Sequence, residues 1–247
     1  MSKIYVGTSG FNYKHWSDGV FYPKGVSQRK WLEYYAEYFN TVELNVSFHR
    51  LPKESVFEGW YKRTPENFIF VSKGSRFITH VKKLANCDDS IELFFNNAKG
   101  LKEKLEVVLW QFPPNFHINV ERLQKFCELL IKNEVAKSAR HAFEFRHESW
   151  FCDEIYEILK KHNFSLCIAH SKRWSFEQIT TASYVYMRFH GGEVLYGSDY
   201  SNEELKDWAT RAKKWLSENR DIYAYFNNDA YGYAVYNAKK FKELISA

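Results

Sequence analysis

Glu144 and Arg146 carry the clearest chemical signal, because both lie in the alternating stretch 141–150, which reads HAFEFRHESW. Alternation of this kind predicts a β-strand with the two charges on one face and Phe143 and Phe145 on the other. The aromatic residues indicate that the second face is packed, so the strand would be buried on both sides. Buried charges cost free energy unless they are paired or used by a site. This strand is therefore the first candidate element of a functional site.

Polar residues also close the other strand-like patterns. Each lies at the carboxyl end of its pattern and follows apolar residues of the same parity: Glu43 and Asn45, Lys73, Gln111, His170, Arg188 and His190, and Asn227. The carboxyl ends of the strands of a parallel barrel surround one mouth, where the active sites of such barrels lie. We therefore predict a polar cavity at this end, above a dry and apolar lower bore.

The elements that would position these residues alternate between strands and helices along the whole chain. The predicted strands are 5–9, 41–48, 68–73, 105–111, 141–150, 165–170, 184–190 and 222–227. The predicted helices are 28–38, 52–63, 90–99, 119–132, 153–162, one that starts at Ser201, and 235–245. Eight strands that alternate with helices predict an α/β fold, a single (β/α)₈ TIM barrel. No G-x-G-x-x-G follows a strand and no linker divides the chain, so residues 1–247 are predicted to form one domain without a dinucleotide site.

The composition is that of a globular protein. The chain has 247 residues, of which 19% are aromatic and 26% charged, and its formal net charge of +5 permits contact with nucleic acid or phosphate. It has no apolar run long enough to span a membrane and no signal-peptide pattern at its start. Four scattered cysteines without a C-x-x-C pair are typical of reduced thiols. We expect a cytoplasmic protein without a membrane partner, and the oligomeric state is left open.

Acid–base chemistry is the first hypothesis for the polar mouth. Glu43 and Glu144 are the candidate general base and general acid. His190 is in step with Arg188 and is a candidate proton shuttle, or else a hydrogen-bonded residue of the mouth. The alternative for Glu144 is an ion pair that closes the barrel without any catalytic role.

An anionic ligand is predicted from the charges of the same set. Lys73, Arg146 and Arg188 supply three positive charges against the two carboxylates, which suits a phosphate or a carboxylate. The further predicted substrate contacts are Ser9, Asn45, His80, Gln111, Asn227, Asn228 and Asp229.

Neither a metal nor a cofactor is predicted. The potential ligands are scattered over the strand ends and loops: His80, Glu144, His170, His190 and Asp229. No H-x-H, H-E-x-x-H or D-x-D motif joins them, and the positive excess at the mouth would repel a cation.

Aromatic residues are also concentrated where the loops of the mouth are expected. They are Phe11, Tyr13, Trp16, Phe21, Tyr22, Phe48, Trp150 and Tyr196. Two interpretations are open: a rim that stacks against a base or a sugar, or plain packing of the loops.

Motifs throughout the chain resemble one known family. They are GTSGF-x-Y-x-x-W at 7–16, FYP at 21–23, TVELN at 41–45, FHR at 48–50, TP-x-x-F-x-F at 64–70, Lys73, ITH at 78–80, QFPP at 111–114, FEFRHESW at 143–150, R-x-HG at 188–191 and YFNNDAYGYAVYNA at 225–238. In combination they resemble the DUF72, or YecE-like, family of uncharacterised TIM-barrel proteins. The resemblance implies one (β/α)₈ domain and supplies no reaction. The chain differs from the family pattern at His170, where an acidic residue is usual, and at His49, where the pattern has tyrosine.

Three functions follow from these residues. The leading hypothesis is an enzyme, a hydrolase or an isomerase, that acts on a small phosphorylated or carboxylated, sugar-like substrate. The second is a nucleic-acid-binding protein or metal-dependent phosphodiesterase, and the third is a ligand-binding barrel without catalysis.

Overall fold

Eight parallel strands form one sheet that curls around a central bore. The computed structural model describes residues 2–246. The strands are β1 (Ile4–Thr8), β2 (Thr41–Leu44), β3 (Ile69–Lys73), β4 (Leu105–Gln111), β5 (Arg140–Glu144), β6 (Ser165–His170), β7 (Tyr184–Phe189) and β8 (Asp221–Phe226). Parallel ladders join them in the order β1-β8-β7-β6-β5-β4-β3-β2, and β1 returns to lie beside β2. The predicted (β/α)₈ TIM barrel is confirmed.

Helices cover the outside of the sheet. They are α1 (Trp31–Tyr38), α2 (Val46–His49), α3 (Glu54–Lys62), α4 (Asp88–Ala98), α5 (Val120–Lys132), α6 (Asp153–Lys161), α7 (Asn202–Ser217) and α8 (Tyr233–Ser246). Short 3₁₀ segments lie at Lys14–Trp16, Gln28–Lys30, Lys99–Lys104, Ala136–Ser138 and Glu148–Trp150, and a π-helical turn at Phe77–Val81. Within residues 2–246, no helix has both the length and the apolar composition needed to cross a bilayer.

The apolar stripe of α5 faces the sheet and is largely buried. In α5, Leu123, Phe126, Cys127 and Leu130 are buried, whereas Ile131 is 45% exposed at the edge of the stripe. A capping box begins α7 at Ser201, where a helix start was predicted: the Ser201 hydroxyl accepts from the Glu204 N–H, and the Glu204 carboxylate accepts from the Ser201 N–H. The layer between helices and sheet is therefore fixed by periodicity and capping.

Two strands are shorter than predicted. β2 ends at Leu44, because Asn45 adopts helical backbone angles and the chain turns directly into α2. β5 ends at Glu144, and the following loop places Arg146 beyond the strand. The apolar alternation continues past both ends, which is why the sequence pattern overestimates the strands.

The bore is filled by side chains from alternate positions of the strands. They are mostly apolar or tyrosine: Tyr5, Ile69, Val71, Val107, Leu109, Ala142, Cys167, Ala169, Ala182, Tyr184, Tyr186, Tyr223 and Tyr225. This packed layer separates the mouth of the barrel from its lower end.

An ionic cluster closes the lower end, where only apolar residues were predicted. Arg140 pairs with Asp221 at 2.7 Å and donates to the Tyr223 hydroxyl at 2.7 Å, and that hydroxyl donates to Glu106 at 2.5 Å. Glu106 is the extra residue of a β-bulge between β3 and β4, which lets its side chain reach the cluster. The bore itself is packed with apolar and tyrosine side chains, as predicted, and this cluster, whose Arg140 side chain keeps 33% of its exposure, closes its lower rim.

A side chain, not a ladder, joins β1 to β2. The Tyr35 hydroxyl of α1 accepts from the Thr8 N–H at 3.0 Å and donates to the Thr41 carbonyl at 3.1 Å. Gly7 makes this close approach possible, because a Cβ there would lie 2.5 Å from the Thr41 carbonyl oxygen. Tyr35 thus satisfies two buried backbone groups that a strand ladder would otherwise pair.

Replacing Tyr35 with phenylalanine should lower the free energy of unfolding by about 1–3 kcal/mol, because the backbone groups of Thr8 and Thr41 would lose their partner. Urea denaturation measures this change. Tyr34→Phe is the matched control: its hydroxyl contacts only the exposed hydroxyl of Tyr38, so a change within about 0.5 kcal/mol is expected. Equal effects of the two substitutions would contradict the bridging role.

Candidate functional site

A buried ion cluster spans the mouth of the barrel from β2 to β7 and β5. Arg188 donates through Nε and Nη2 to the two carboxylate oxygens of Glu43, at 2.9 and 2.7 Å. Its Nη1 donates to Glu144 Oε2 at 2.6 Å. All three side chains are at most 1% exposed. The parity of the strands thus predicted correctly that these residues face one another across the bore.

Both carboxylates are held in the ionised state. Burial by itself would raise the pKa of Glu43, but the charge and the hydrogen bonds of Arg188 outweigh it and lower that pKa below its ordinary value. The same balance, with Arg188 and Arg146 as the opposing charges, holds the pKa of Glu144 well below its ordinary value. Tyr186 also donates to Glu43 Oε2 at 2.6 Å. Glu43 is therefore fully occupied and shielded from the mouth.

Arg146 lies on the outer side of the cluster, toward the solvent. Its Nε donates to Glu144 Oε1 at 2.8 Å, and its guanidinium stacks over the Trp174 ring at 4.1 Å. The side chain retains 14% of its exposure. Within residues 2–246, its two terminal nitrogens donate to no protein acceptor. The planar end of Arg146 is therefore available to a ligand at the mouth.

His190 follows β7 and is sealed inside the mouth. Its Nε2 lies 3.7 Å from Glu144 Oε1, and Asn227 Nδ2 donates to its Nδ1 at 3.1 Å. Because Nδ1 accepts, the proton of the neutral ring is on Nε2 and faces the carboxylate. Burial and the charge of Arg188 lower the pKa of His190 to about 4, so the ring is neutral at pH 7.

Lys73 ends β3 on the bore side, as its parity predicted. It is 8% exposed, and its ammonium nitrogen lies 4.1 Å from the centroid of the Phe48 ring. No carboxylate of residues 2–246 comes within ion-pair distance of it. Burial and the positive charge of Arg188 lower the pKa of Lys73 to about 7. The surroundings of Lys73 thus favour the neutral amine more than solvent does.

His80 is close to Lys73. Its ring packs against Phe48, the aromatic ring that the Lys73 ammonium contacts, at a centroid distance of 5.0 Å. The π-helical turn Phe77–Val81 places it there, and the Thr79 hydroxyl lies 2.9 Å from its Nδ1. Burial and the charge of Lys73 lower the pKa of His80 to about 4. Lys73 is therefore flanked by a neutral imidazole and an aromatic ring.

The remaining predicted contacts fall into two groups. Gln111 and Asn228 use their amides within the protein: Gln111 donates to the Phe112 carbonyl at 2.6 Å, and Asn228 to Asn237 Oδ1 at 2.7 Å and to the Ser198 carbonyl at 3.0 Å. Ser9 and Asn45 meet at the β1–β2 seam, where Asn45 Nδ2 donates to the Ser9 carbonyl at 3.0 Å. Ser9 Oγ and Asn45 Oδ1 have no protein partner within residues 2–246.

A pair that the sequence interpretation missed lies after β8. His15 Nε2 is 2.8 Å from Asp229 Oδ2, and the Trp16 Nε1–H donates to Asp229 Oδ1 at 2.8 Å. Burial raises the pKa of Asp229 to about 6. Asp229 was predicted as a ligand contact, but His15 lies in a loop without periodicity, so no pattern singled it out. The pair borders a cavity of about 310 Å³ that is also lined by Tyr13, Tyr196, Asn227 and Ala230.

His170 does not belong to the mouth, although it was placed there by parity. Cys167 and Ala169 are the residues of β6 that face the bore. His170 points into the helix layer instead, where its Nδ1 lies 2.8 Å from the Tyr200 hydroxyl and its ring packs against Trp208. β6 is apolar on both faces, so alternation could not show which face is inward.

Of the potential metal ligands, the structure brings His190 and Glu144 together at 3.7 Å. Within residues 2–246, no three His, Cys, Asp or Glu side chains form a group that could hold a metal ion.

Half of the aromatic residues predicted near the mouth are packed into the core. Trp16, Tyr22, Phe21 and Trp150 are buried, and Tyr22 stacks on Trp31 at 4.6 Å. Phe11, Tyr13, Phe48 and Tyr196 stay partly exposed. The structure therefore favours loop packing for the buried half of this set.

Comparison with known proteins gives a consistent result. The family described as "Protein of unknown function DUF72" matches residues 5–247. The UPF0759 protein YunF of Bacillus subtilis is 30% identical over 98% of this chain and 94% of its own length. A DUF72 family protein of Thermotoga maritima superposes with a TM-score of 0.85 at 31% identity, over 99% of this chain and all of that one. One from Enterococcus faecalis superposes with a TM-score of 0.83 at 23% identity, over 99% and 96%.

Glu43→Gln should lower the free energy of unfolding by about 3–5 kcal/mol, because Arg188 would lose one of its two buried countercharges. Chemical denaturation at pH 7 measures this loss. The matched control is Glu33→Gln, which removes the half-exposed pair with Arg63 and should cost about 1 kcal/mol or less. A cost for Glu43→Gln as small as that of the control would contradict the interpretation of the cluster.

Lys73 should titrate with a midpoint near pH 7, followed by NMR of its ¹³C-labelled ε-carbon and assigned by Lys73→Arg. The unfolded chain binds this proton with an ordinary lysine pKa of about 10.4. Between these two pKa values, the unfolded state binds more protons than the folded state. The free energy of unfolding should therefore rise as the pH rises from 7 toward 10. A midpoint above about pH 9.5 would show that the amine is ordinarily solvated.

Proposed function

This chain belongs to the DUF72 family, and we propose that it is an enzyme that holds a small anionic substrate at the barrel mouth and acts on it by proton transfer. The substrate is a phosphorylated or carboxylated molecule. The proposal rests on the chemistry of the mouth, because the family carries no assigned reaction.

The observation that carries the proposal is a difference between the three cations of the mouth. All three guanidinium nitrogens of Arg188 donate hydrogen bonds to Glu43 and Glu144. In Arg146, only Nε donates to a carboxylate. Lys73 has no carboxylate within ion-pair distance among residues 2–246. Unsatisfied donors on buried cations are costly, and an anion would satisfy them. We propose that the substrate anion does so.

The acids take different roles in this proposal from those first predicted. Glu43 holds Arg188, Arg188 holds Glu144, and Glu144 orients Arg146. These residues are positioning residues, because their pKa values keep them ionised and their oxygens are occupied. His190 supports the same arrangement as a neutral hydrogen-bonded ring.

Proton transfer is assigned to Lys73. A group exchanges protons most effectively when its pKa lies near the working pH, and the pKa of Lys73 is lowered to about 7. The His15–Asp229 pair lies on the other side of the mouth and is the candidate for a second proton-transfer group. The cavity beside that pair, of about 310 Å³, is large enough for a small molecule.

The nucleic-acid alternative has less support from the structure. It was motivated by an aromatic rim, and Trp16, Tyr22 and Trp150 are fully buried in the packing of the loops. A metal-dependent phosphodiesterase would also need a ligand group, which residues 2–246 do not assemble.

A binding screen tests the proposal. Wild-type protein and Arg146→Gln are titrated calorimetrically with inorganic phosphate and a panel of small phosphorylated and carboxylated metabolites. At least one anion should bind the wild type, and the variant should bind it about 10–100-fold more weakly, since a charge-assisted hydrogen bond contributes about 1.5–3 kcal/mol.

The matched control is Arg211→Gln. Arg211 also stacks on a tryptophan, Trp208 at 5.2 Å, but it lies on α7, away from the mouth. Its substitution should leave anion binding unchanged. If no anion of the panel binds, or if the two variants bind it equally well, the proposal is overturned.

A further inference from the structure

We propose that Lys73 is a nucleophile whose amine condenses with an aldehyde or ketone group of the substrate to form an imine. This inference rests on the proposed function, since it assumes the anionic substrate held by Arg146. It narrows the substrate class to small anions that carry a carbonyl group, such as 2-oxo acids and phosphorylated aldehydes or ketones.

The position of Lys73 is the first argument. It is the last residue of β3 and extends into the mouth, in step with Ile69 and Val71 below it. Its side chain is almost completely buried, yet within residues 2–246 no carboxylate pairs with it. A lysine that served only to stabilise the fold would be expected to have a partner for its charge.

Lys104 shows what such a partnered lysine looks like in the same protein. It is 4% exposed, and its amine donates to the carbonyls of Tyr61 and Thr64, both at 2.9 Å, and to the Thr64 hydroxyl at 3.1 Å. All three of its protons are thus used. Lys73 has the same burial without these acceptors, so its amine is free to react.

The surroundings of Lys73 favour an uncharged amine. The Phe48 ring lies over the nitrogen, the neutral His80 packs behind that ring, and Arg188 and Arg146 add positive charge nearby. A pKa of about 7 leaves a large fraction of the amine neutral at pH 7. An ordinary exposed lysine is neutral to only about one part in a few thousand at that pH. Only the neutral amine has the lone pair that attacks a carbonyl carbon.

The step balances without any further reagent. The Nζ lone pair forms a bond to the carbonyl carbon, and a proton moves from nitrogen to the carbonyl oxygen to give a carbinolamine. The C–O bond then breaks, and the oxygen leaves as water with the second proton of the amine. One C=N bond and one water replace the amine and the carbonyl. Nothing is oxidised or reduced.

Reductive trapping tests the inference. The protein is incubated at pH 7 with glyoxylate, glyceraldehyde 3-phosphate or the neutral aldehyde propanal, each with sodium cyanoborohydride. Trapping adds the mass of the probe less one oxygen atom, and peptide mapping identifies the modified residue. Lys73 should be labelled about tenfold or more faster than any other lysine, because its amine is the most deprotonated.

Two variants sharpen the result. Lys73→Arg keeps the charge and should abolish the fast labelling, while Lys104→Arg should leave it unchanged. Because the label is mapped on the wild-type protein, the conclusion stands even if Lys73→Arg folds poorly. Labelling of Lys73 no faster than that of the exposed lysines would overturn the inference.

Arg146→Gln separates this inference from the proposed function. It should slow trapping by the two anionic aldehydes much more than trapping by propanal, which should slow only as far as the loss of the Arg146 charge raises the pKa of Lys73. If propanal labels Lys73 rapidly and the anionic probes show no advantage, the amine is confirmed as a nucleophile and the anion site is refuted. If anions bind through Arg146 but no probe labels Lys73, the anion site stands and the imine is refuted.

Discussion

The mouth of this barrel depends on one guanidinium held between two carboxylates. Arg188 of β7 reaches Glu43 of β2 and Glu144 of β5, so three strands that are not neighbours are tied together across the bore. All of these charges are shielded from water, which makes the removal of any single one expensive. The geometry of the other mouth residues follows from this fixed arrangement.

The cluster separates two classes of polar residue. Those in its interior, such as Glu43 and Arg188, have complete sets of partners and set positions. Those at its margin, Arg146 and Lys73, keep unused donors and lie nearer to solvent. The mouth therefore combines a buried ion network that includes Glu144 with two cations at its margin, Arg146 and Lys73.

Strand parity predicted much of this arrangement, because a parallel strand shows its bore side every second residue. It placed Glu43, Lys73, Glu144 and Arg188 together. It failed for His170, because β6 is apolar on both faces, and it did not single out Glu106, because a β-bulge changes the parity. The saturation of Arg188 could not be predicted at all, since it depends on distances across the closed barrel. His15 lies in an irregular loop, where the sequence has no periodic pattern that could predict the position of its side chain.

Because of the Tyr35 bridge, three elements meet where the barrel closes: β1, β2 and α1. A ladder needs two strands only, whereas β1 and β2 are joined through a hydroxyl that belongs to α1. Closure of the barrel therefore involves the first helix as well as the two strands that this helix connects. Ser9 and Asn45 lie directly above this joint. Two side chains, Tyr35 of α1 and Asn45 at the end of β2, thus complete the ring of the barrel at this position.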